Sequence, residues 1–150
     1  MIDVRREELN SSVAQTLIAA LNAELTKLYP EEGATHFRLT AHEVAAFVVA
    51  YRDFVPVGCG ALRRLDVSTA ELKRMYVTPA ARGEGIGGAV LESLEAEARK
   101  LGIQRLVLET GTRQDAALRL YRRSGFREVE LFGEYLESPT TSICMAKDLR

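Results

Sequence analysis

Arg82-Gly-Glu-Gly-Ile-Gly-Gly88 is the stretch of this chain best equipped to do chemistry. Glycine at 83, 85, 87 and 88 leaves a run of backbone N–H groups with few Cβ atoms in the way. The preceding Glu71-Leu-Lys-Arg-Met-Tyr-Val77 reads as a strand, with Leu72, Met75, Tyr76 and Val77 supplying apolar and aromatic bulk. Pro79 cannot donate to a sheet ladder, so that strand is expected to stop at about Val77. From Ile86 the apolar spacing turns helical, with Val90, Leu94, Ala98 and Leu101 following, and Gly102 suits the stop. Strand, glycine loop and helix in this order aim amide groups and the positive end of a helix dipole at the loop. That makes an anion site suited to a pyrophosphate. Arg82 adds a fixed cation at its entrance.

Two common phosphate loops fit less well. A P-loop would end in Gly-Lys-Ser/Thr, where this chain has Gly87-Gly88-Ala89. A dinucleotide fingerprint would sit early in a βαβ unit, whereas this loop lies mid-chain behind an arginine.

The elements around the loop follow from periodicity. Residues 2–6 alternate apolar and polar and predict a short strand. A helix is expected over 12–29 through Val13, Leu17, Ala20, Leu21, Leu25 and Leu28, with Ser11 or Ser12 as its N-cap and Pro30 after it. Residues 31–46 read as a loop with a short helical turn near 42–46. Strands are expected at 47–51, 57–65 and 70–77, three in succession that pair most economically as an antiparallel meander. After the helix of 86–101, residues 105–109 form a short buried strand, and a crossover of this length makes its pairing with 71–77 parallel. Thr112-x-x-Asp115 has the spacing of a capping box for a helix ending at Gly125, and strands at 126–131 and 142–147 complete the chain. The sum is α+β: a mixed, mostly antiparallel sheet of six to seven strands with helices on both faces.

Bulk properties narrow the class. The chain has 150 residues, a formal net charge of −1 and 47% apolar content, which suit one ordinary domain spanning 1–150 with no bias toward nucleic acid or membrane. No apolar run approaches the ~20 residues that span a bilayer. The N-terminus lacks a basic-then-apolar signal peptide, so a cytoplasmic address is expected. Cys59 and Cys144 lack metal-ligand spacing and are expected to pack as small buried groups; no metal site is expected.

Residues 82–87 resemble the (Arg/Gln)-x-x-Gly-x-(Gly/Ala) signature of the GCN5-related N-acetyltransferases (GNAT), which bind acetyl-CoA. Residues 114–126 resemble a second segment of that family, Asn-x-x-Ala-x-x-Leu-Tyr-x-x-x-Gly-Phe, with Ala117, Leu120, Tyr121, Gly125 and Phe126 on pattern. Gln114 stands where many members have Asn, keeping the carboxamide at longer reach. The order of elements also resembles the GNAT fold from end to end. Glu-Leu-Lys-Arg-Met-Tyr-Val, Leu108-Glu-Thr-Gly111 and Phe132-Gly-Glu-Tyr135 are further similar to a bacterial branch found alone or fused to MarR-type regulators.

The resemblance implies direct transfer of acetyl from a thioester to a primary amine. Gly83, Glu84, Gly85, Ile86, Gly87 and Gly88, with Arg82, would take the pyrophosphate. Main-chain groups of Met75, Tyr76 and Val77, with Gln114 and Ala117, would take the pantetheine arm where the parallel strands splay beyond 77 and 109. The amide of Tyr76 or Val77 could donate to the oxyanion that develops during transfer. Tyr121 matches the family's catalytic tyrosine, and its reference pKa of ~10 against ~8.5 for a thiol lets it protonate the departing sulfur at modest cost.

The amine must lose a proton. A lysine-like amine of pKa ~10.4 is neutral about one time in 2,500 at pH 7, a penalty of ~4.6 kcal/mol, whereas an α-amine near 8 costs only ~1.4. Glu109 and Glu71 are rival bases, with a water chain as a third route, and either carboxylate could instead be a structural partner of Arg82 or Lys73. His36 and His42 fall in the segment where the family builds acceptor specificity and read as surface histidines. Arg119, Arg122, Arg123 and Arg127 read as a solvated helix face, one of which could meet the 3′-phosphate of CoA. Phe132 and Tyr135 belong to the loop that commonly walls the acceptor site. The leading expectation is an acetyl-CoA-dependent N-acetyltransferase with a small-molecule amine acceptor, with a homodimer as one open possibility for its assembly. A protein or peptide N-terminal acetyltransferase and a non-catalytic acyl-CoA-binding regulator are the alternatives.

Overall fold

The computed structural model describes residues 1–32 and 39–149. Seven strands, β1 (Ile2–Arg6), β2 (Val44–Arg52), β3 (Val55–Arg64), β4 (Thr69–Val77), β5 (Arg105–Gly111), β6 (Arg127–Val129) and β7 (Ser142–Asp148), form one sheet in the order β1-β2-β3-β4-β5-β7-β6. Every pairing is antiparallel except β4 with β5. Helix α1 (Ser12–Leu28) covers one face; α2 (Ile86–Lys100) and α3 (Asp115–Arg123) cover the other.

Alternation along β2 builds both cores. Val48 and Ala50 join the α2 side, while Phe47 and Val49 join the α1 side with Leu17, Ile18 and Leu21. Ser11 caps α1, its hydroxyl accepting the Ala14 amide at 3.1 Å. Gly102, at φ 76°, lies just past the end of α2 as its spacing predicts. Both cysteines are buried and free.

Some local expectations need correcting. The Thr112–Asp115 capping box does not form: Gln114 is the N-cap, without a side-chain cap bond, and its Oε1 instead accepts the Gly111 amide at 2.8 Å. The helix keeps Asp115 in its first turn, where a negative charge suits the dipole. Strand β6 is only three residues long, and the turn expected at 42–46 is a single 3₁₀ turn at Ala41–Glu43.

The sheet has one defect that matters. The β3–β4 register passes from Cys59↔Tyr76 to Ala61↔Lys73, so Arg74 and Met75 share the place opposite Gly60. Arg74 takes φ 58°, as the extra residue of a β-bulge. The bulge reverses the alternation: Leu72 and Met75 both pack on the α2 core, and Tyr76 moves to the α1 core. The thiol of Cys59 donates to the Arg74 carbonyl at 3.3 Å. Burial pushes that thiol up to about 12, so it stays protonated and able to donate.

Gly60 lets α2 lie close over the bulge. A Cβ there would sit 2.7 Å from both Leu94 Cδ1 and Met75 Sδ, and 2.9 Å from Val90 Cγ1. Gly60→Val is therefore expected to lower the unfolding free energy by about 2 kcal/mol, measured by urea denaturation. A midpoint like that of the wild type would show that α2 does not depend on this close approach.

Candidate active site

Pairing between β4 and β5 ends at Leu72↔Leu108, earlier than the sequence suggests. Beyond it β4 continues over 73–77 and β5 over 109–111 without pairing to each other, and β5 stays bonded to β7. The bulge at Arg74 bends β4 as it leaves the ladder. The wedge between the strands holds a cavity of about 130 Å³.

Side chains from six elements meet there. Strand β4 contributes Lys73, Arg74 and Met75, and β5 contributes Glu109 and Thr110. Helix α3 contributes Gln114, Ala117 and Tyr121, Leu21 and Leu25 arrive from α1, and Tyr135 and Ser142 wall the far side. Glu109 is half-buried and accepts a hydrogen bond from Ser142 Oγ at 2.7 Å. Tyr121 is buried, its ring edge-on to Phe126 with centroids 5.8 Å apart. Burial, and then the charge of Glu109, raise the Tyr121 phenol above the ordinary tyrosine value.

The glycine loop lies at the end of β4. Arg82 Nε donates to the Val77 carbonyl at 3.0 Å and Nη2 to Glu24 at 2.7 Å, so the arginine pins the loop to both β4 and α1. Gly83 and Gly85 adopt φ 86° and 82°, a region side chains rarely enter. A Cβ at Gly83, Gly85 or Gly88 would meet nothing within 4 Å, so the loop presents open space. Gly85 caps α2 with no side chain, leaving the first-turn amides of Ile86, Gly87 and Gly88 without a side-chain acceptor there. Arg52 draws the Glu84 carboxylate aside at 2.5 Å, removing a negative charge that would oppose an anion.

Glu71 lies elsewhere. It sits in the paired part of β4, opposite Val107, is 1% exposed and does not line the cavity. Its carboxylate accepts hydrogen bonds from Tyr135 at 2.6 Å and Arg63 at 3.0 Å, with Lys73 Nζ at 3.7 Å and itself bonded to Tyr135 Oη at 3.0 Å. Of the two partners expected for the carboxylates, Lys73 is realised and Arg82 is not. Glu71 is an anchor for the loop of Gly133–Glu137, not a group at the cavity. Burial and the Glu71 charge raise the Tyr135 phenol, keeping it a donor. Arg119, Arg122, Arg123 and Arg127 are exposed, as is His42; His36 lies outside the described residues.

Sequence reasoning missed Arg74, and with it the part played by Arg63. The signal was present: Lys73-Arg74 puts two charges side by side in an apolar strand, which strict alternation cannot bury on one face. Tyr29 was missed as well; its hydroxyl accepts the Arg113 amide at 2.8 Å beside the cavity.

The family model for the acetyltransferase (GNAT) family matches residues 14–126. The chain belongs to that family. It is 40% identical over 148 residues to the IAA acetyltransferase of Azospirillum brasilense, covering 97% of this chain and 95% of that one. A crystal structure from Klebsiella pneumoniae, assigned as an acyl-CoA N-acyltransferase, superposes with a TM-score of 0.84 at 32% identity, covering 100% of this chain and 99% of the other. A GNAT acetyltransferase from Elizabethkingia anophelis, crystallised with acetyl-CoA, gives 0.73 at 21% identity over 99% and 98% of the two chains, a likeness of fold. The protein is thus an acyltransferase with the GNAT sheet. No helix among the described residues is long and apolar enough to cross a membrane, and no group of His, Cys, Asp or Glu among them is arranged to hold a metal ion.

Glu71→Ala would leave a buried ammonium (Lys73), a partly buried guanidinium (Arg63) and a phenol (Tyr135) facing one another. The expected loss is about 3 kcal/mol of unfolding free energy by thermal or urea denaturation. A loss below about 1 kcal/mol would show that water replaces the carboxylate at little cost.

Proposed function

We propose that this chain transfers an acetyl group from acetyl-CoA to the primary amine of a small molecule, by direct attack of the amine. The observation that carries the reading is the wedge between β4 and β5, where Tyr121 and Glu109 line one cavity beyond the last paired residues. Acetyl-CoA fits the residues present: an open glycine cradle at the start of α2, an arginine fixed at its edge, and a strand end released from its parallel partner. When bound, it would supply an acetyl thioester, an activated carbonyl with a thiolate as leaving group.

Residues 82–88 hold the pyrophosphate through main-chain amides. The free edge of Met75, Tyr76 and Val77 meets the pantetheine arm, Gln114 offers its NH₂ end, and Ala117 leaves room beside it. The amide of Tyr76 or Val77 faces the carbonyl oxygen as charge grows there. Glu109 takes the proton from the acceptor ammonium, directly or through water, held in place by Ser142.

Tyr121 gives a proton to the departing sulfur. Its raised pKa keeps it protonated at any working pH, and also makes net transfer cost more than the ~2 kcal/mol of the 1.5-unit reference gap. Glu109 therefore takes the first proton before attack. The second proton leaves nitrogen for the Tyr121 oxygen as the C–S bond breaks and Tyr121 protonates the sulfur, which restores the phenol; both residues line one cavity.

Tyr121→Phe is expected to bind acetyl-CoA with wild-type affinity by calorimetry and to lower kcat about 10²- to 10⁴-fold. Unchanged kcat would remove Tyr121 from the role of acid. Glu109→Gln should lower kcat/KM at pH 7 and recover part of the loss toward pH 10, because the amine then loses its proton to solvent. A parallel offset at every pH would count against Glu109 as base. The wild-type pH profile should show no fall from Tyr121 ionisation below pH ~10, since its folded-state pKa lies above the ordinary value.

A further inference from the structure

We propose that the acceptor carries a carboxylate, and that Arg74 binds it inside the cavity, so the substrate is a small amino acid. The inference rests on the N-acetyltransferase reading and specifies its second substrate.

Arg74 is 9% exposed, lines the cavity, and has two guanidinium nitrogens, Nε and Nη2, buried without a hydrogen-bond partner. It forms no ion pair among the described residues. Its cationic neighbours differ in this respect. Arg63 pairs with Glu71 and Glu43, and Lys73 is bonded to Tyr135 and lies near Glu71 and Glu134. The nearby carboxylates are engaged too: Glu71 by Tyr135 and Arg63, Glu134 by Lys73 and Arg63, and Glu109 by Ser142. Arg74 is the one of these three cations with no carboxylate within ion-pair distance.

A buried guanidinium with idle donors is destabilising unless something pairs with it. Burial already lowers its pKa below the usual arginine value. The chain also holds this residue at φ 58° as the extra member of the bulge. That backbone conformation is costly for a side chain and tends to mark a functional position.

The planar fork of arginine matches a carboxylate with two parallel hydrogen bonds. The two unpartnered nitrogens, Nε and Nη2, are adjacent on the guanidinium and match the two oxygens of one carboxylate. A cavity of about 130 Å³ is close in size to one that holds benzene, enough for a carboxylate on a short chain. The acceptor would then lie with its carboxylate on Arg74 and its amine toward Glu109 and Tyr121.

The test uses matched acceptors: amino acids, their amides and their decarboxylated amines, assayed with wild type, Arg74→Gln and Arg74→Lys. Wild type is expected to favour the acids at least about tenfold in kcat/KM, chiefly through KM. Arg74→Gln should collapse that ratio toward one, and Arg74→Lys should keep part of it. Calorimetry on wild type without coenzyme, with an N-acetyl amino acid and its amide as probes, reads the same preference independently of turnover and of whether the Gln variant folds. Equal use or equal binding of acid and amide, or a ratio that survives in Arg74→Gln, overturns the proposal. Absence of affinity for coenzyme A, measured separately, would overturn the transferase reading and leave the calorimetric comparison to judge Arg74 by itself.

Discussion

A strand that takes an extra residue on one edge bends, and its other edge is drawn out of line. In this protein the edge affected is the parallel one. Strand β4 carries Arg74 and Met75 against Gly60 on its β3 side, and its pairing with β5 lapses at Leu72. The remaining five residues of β4, the bulged Arg74 among them, and three of β5 run on without each other's hydrogen bonds. A sheet bares main-chain groups in its interior only where something else will meet them. The cavity, the placing of Tyr121 over it and the loop that follows β4 all descend from that one departure.

The same strand is held on its paired side by charge. Glu71 is among the largest fully buried side chains, and it is tolerable there because a phenol and a guanidinium satisfy it and an ammonium stands near. Through Tyr135 the cluster fastens the 3₁₀ segment Gly133–Glu137 onto the sheet, with Phe132 edge-on to the Tyr135 ring at 5.5 Å. The wall of the cavity therefore rests on a polar core, while the α2 face beneath rests on an apolar one. Rigid framing on both sides leaves the groups in between little freedom to drift.

Much of the architecture could be read from the chain. The apolar spacing of 86–101, the stop at Gly102 and the cap at Ser11 each follow from local rules that the packing also obeys. The parallel sense of β4 and β5 follows from the length of the crossover. What could not be read depends on partners distant in sequence. A bulge is defined by the register of the facing strand, so it leaves only an adjacent pair of charges as its trace. Glu71 looks exposed by residue type, and only Arg63, eight residues before it, and Tyr135, sixty-four residues after it, make its burial possible. The capping box at Thr112 does not form because α3 begins at Asp115 with Gln114 as its N-cap, which puts Thr112 two residues too early to cap it. At the site, Tyr121 and Glu109 line one cavity, whereas Glu71 does not line it and is held by Tyr135 and Arg63.

The two halves of this site are written in different alphabets. The loop of 82–88 and the released edge of β4 present backbone, which substitution barely alters so long as glycine keeps its positions. The cavity presents side chains drawn from α1, β4, β5, α3 and the segment before β7. On the proposed function, point changes over evolutionary time would redirect the second half and spare the first, so descendants of this chain could acquire new acceptors without relearning how to hold the donor.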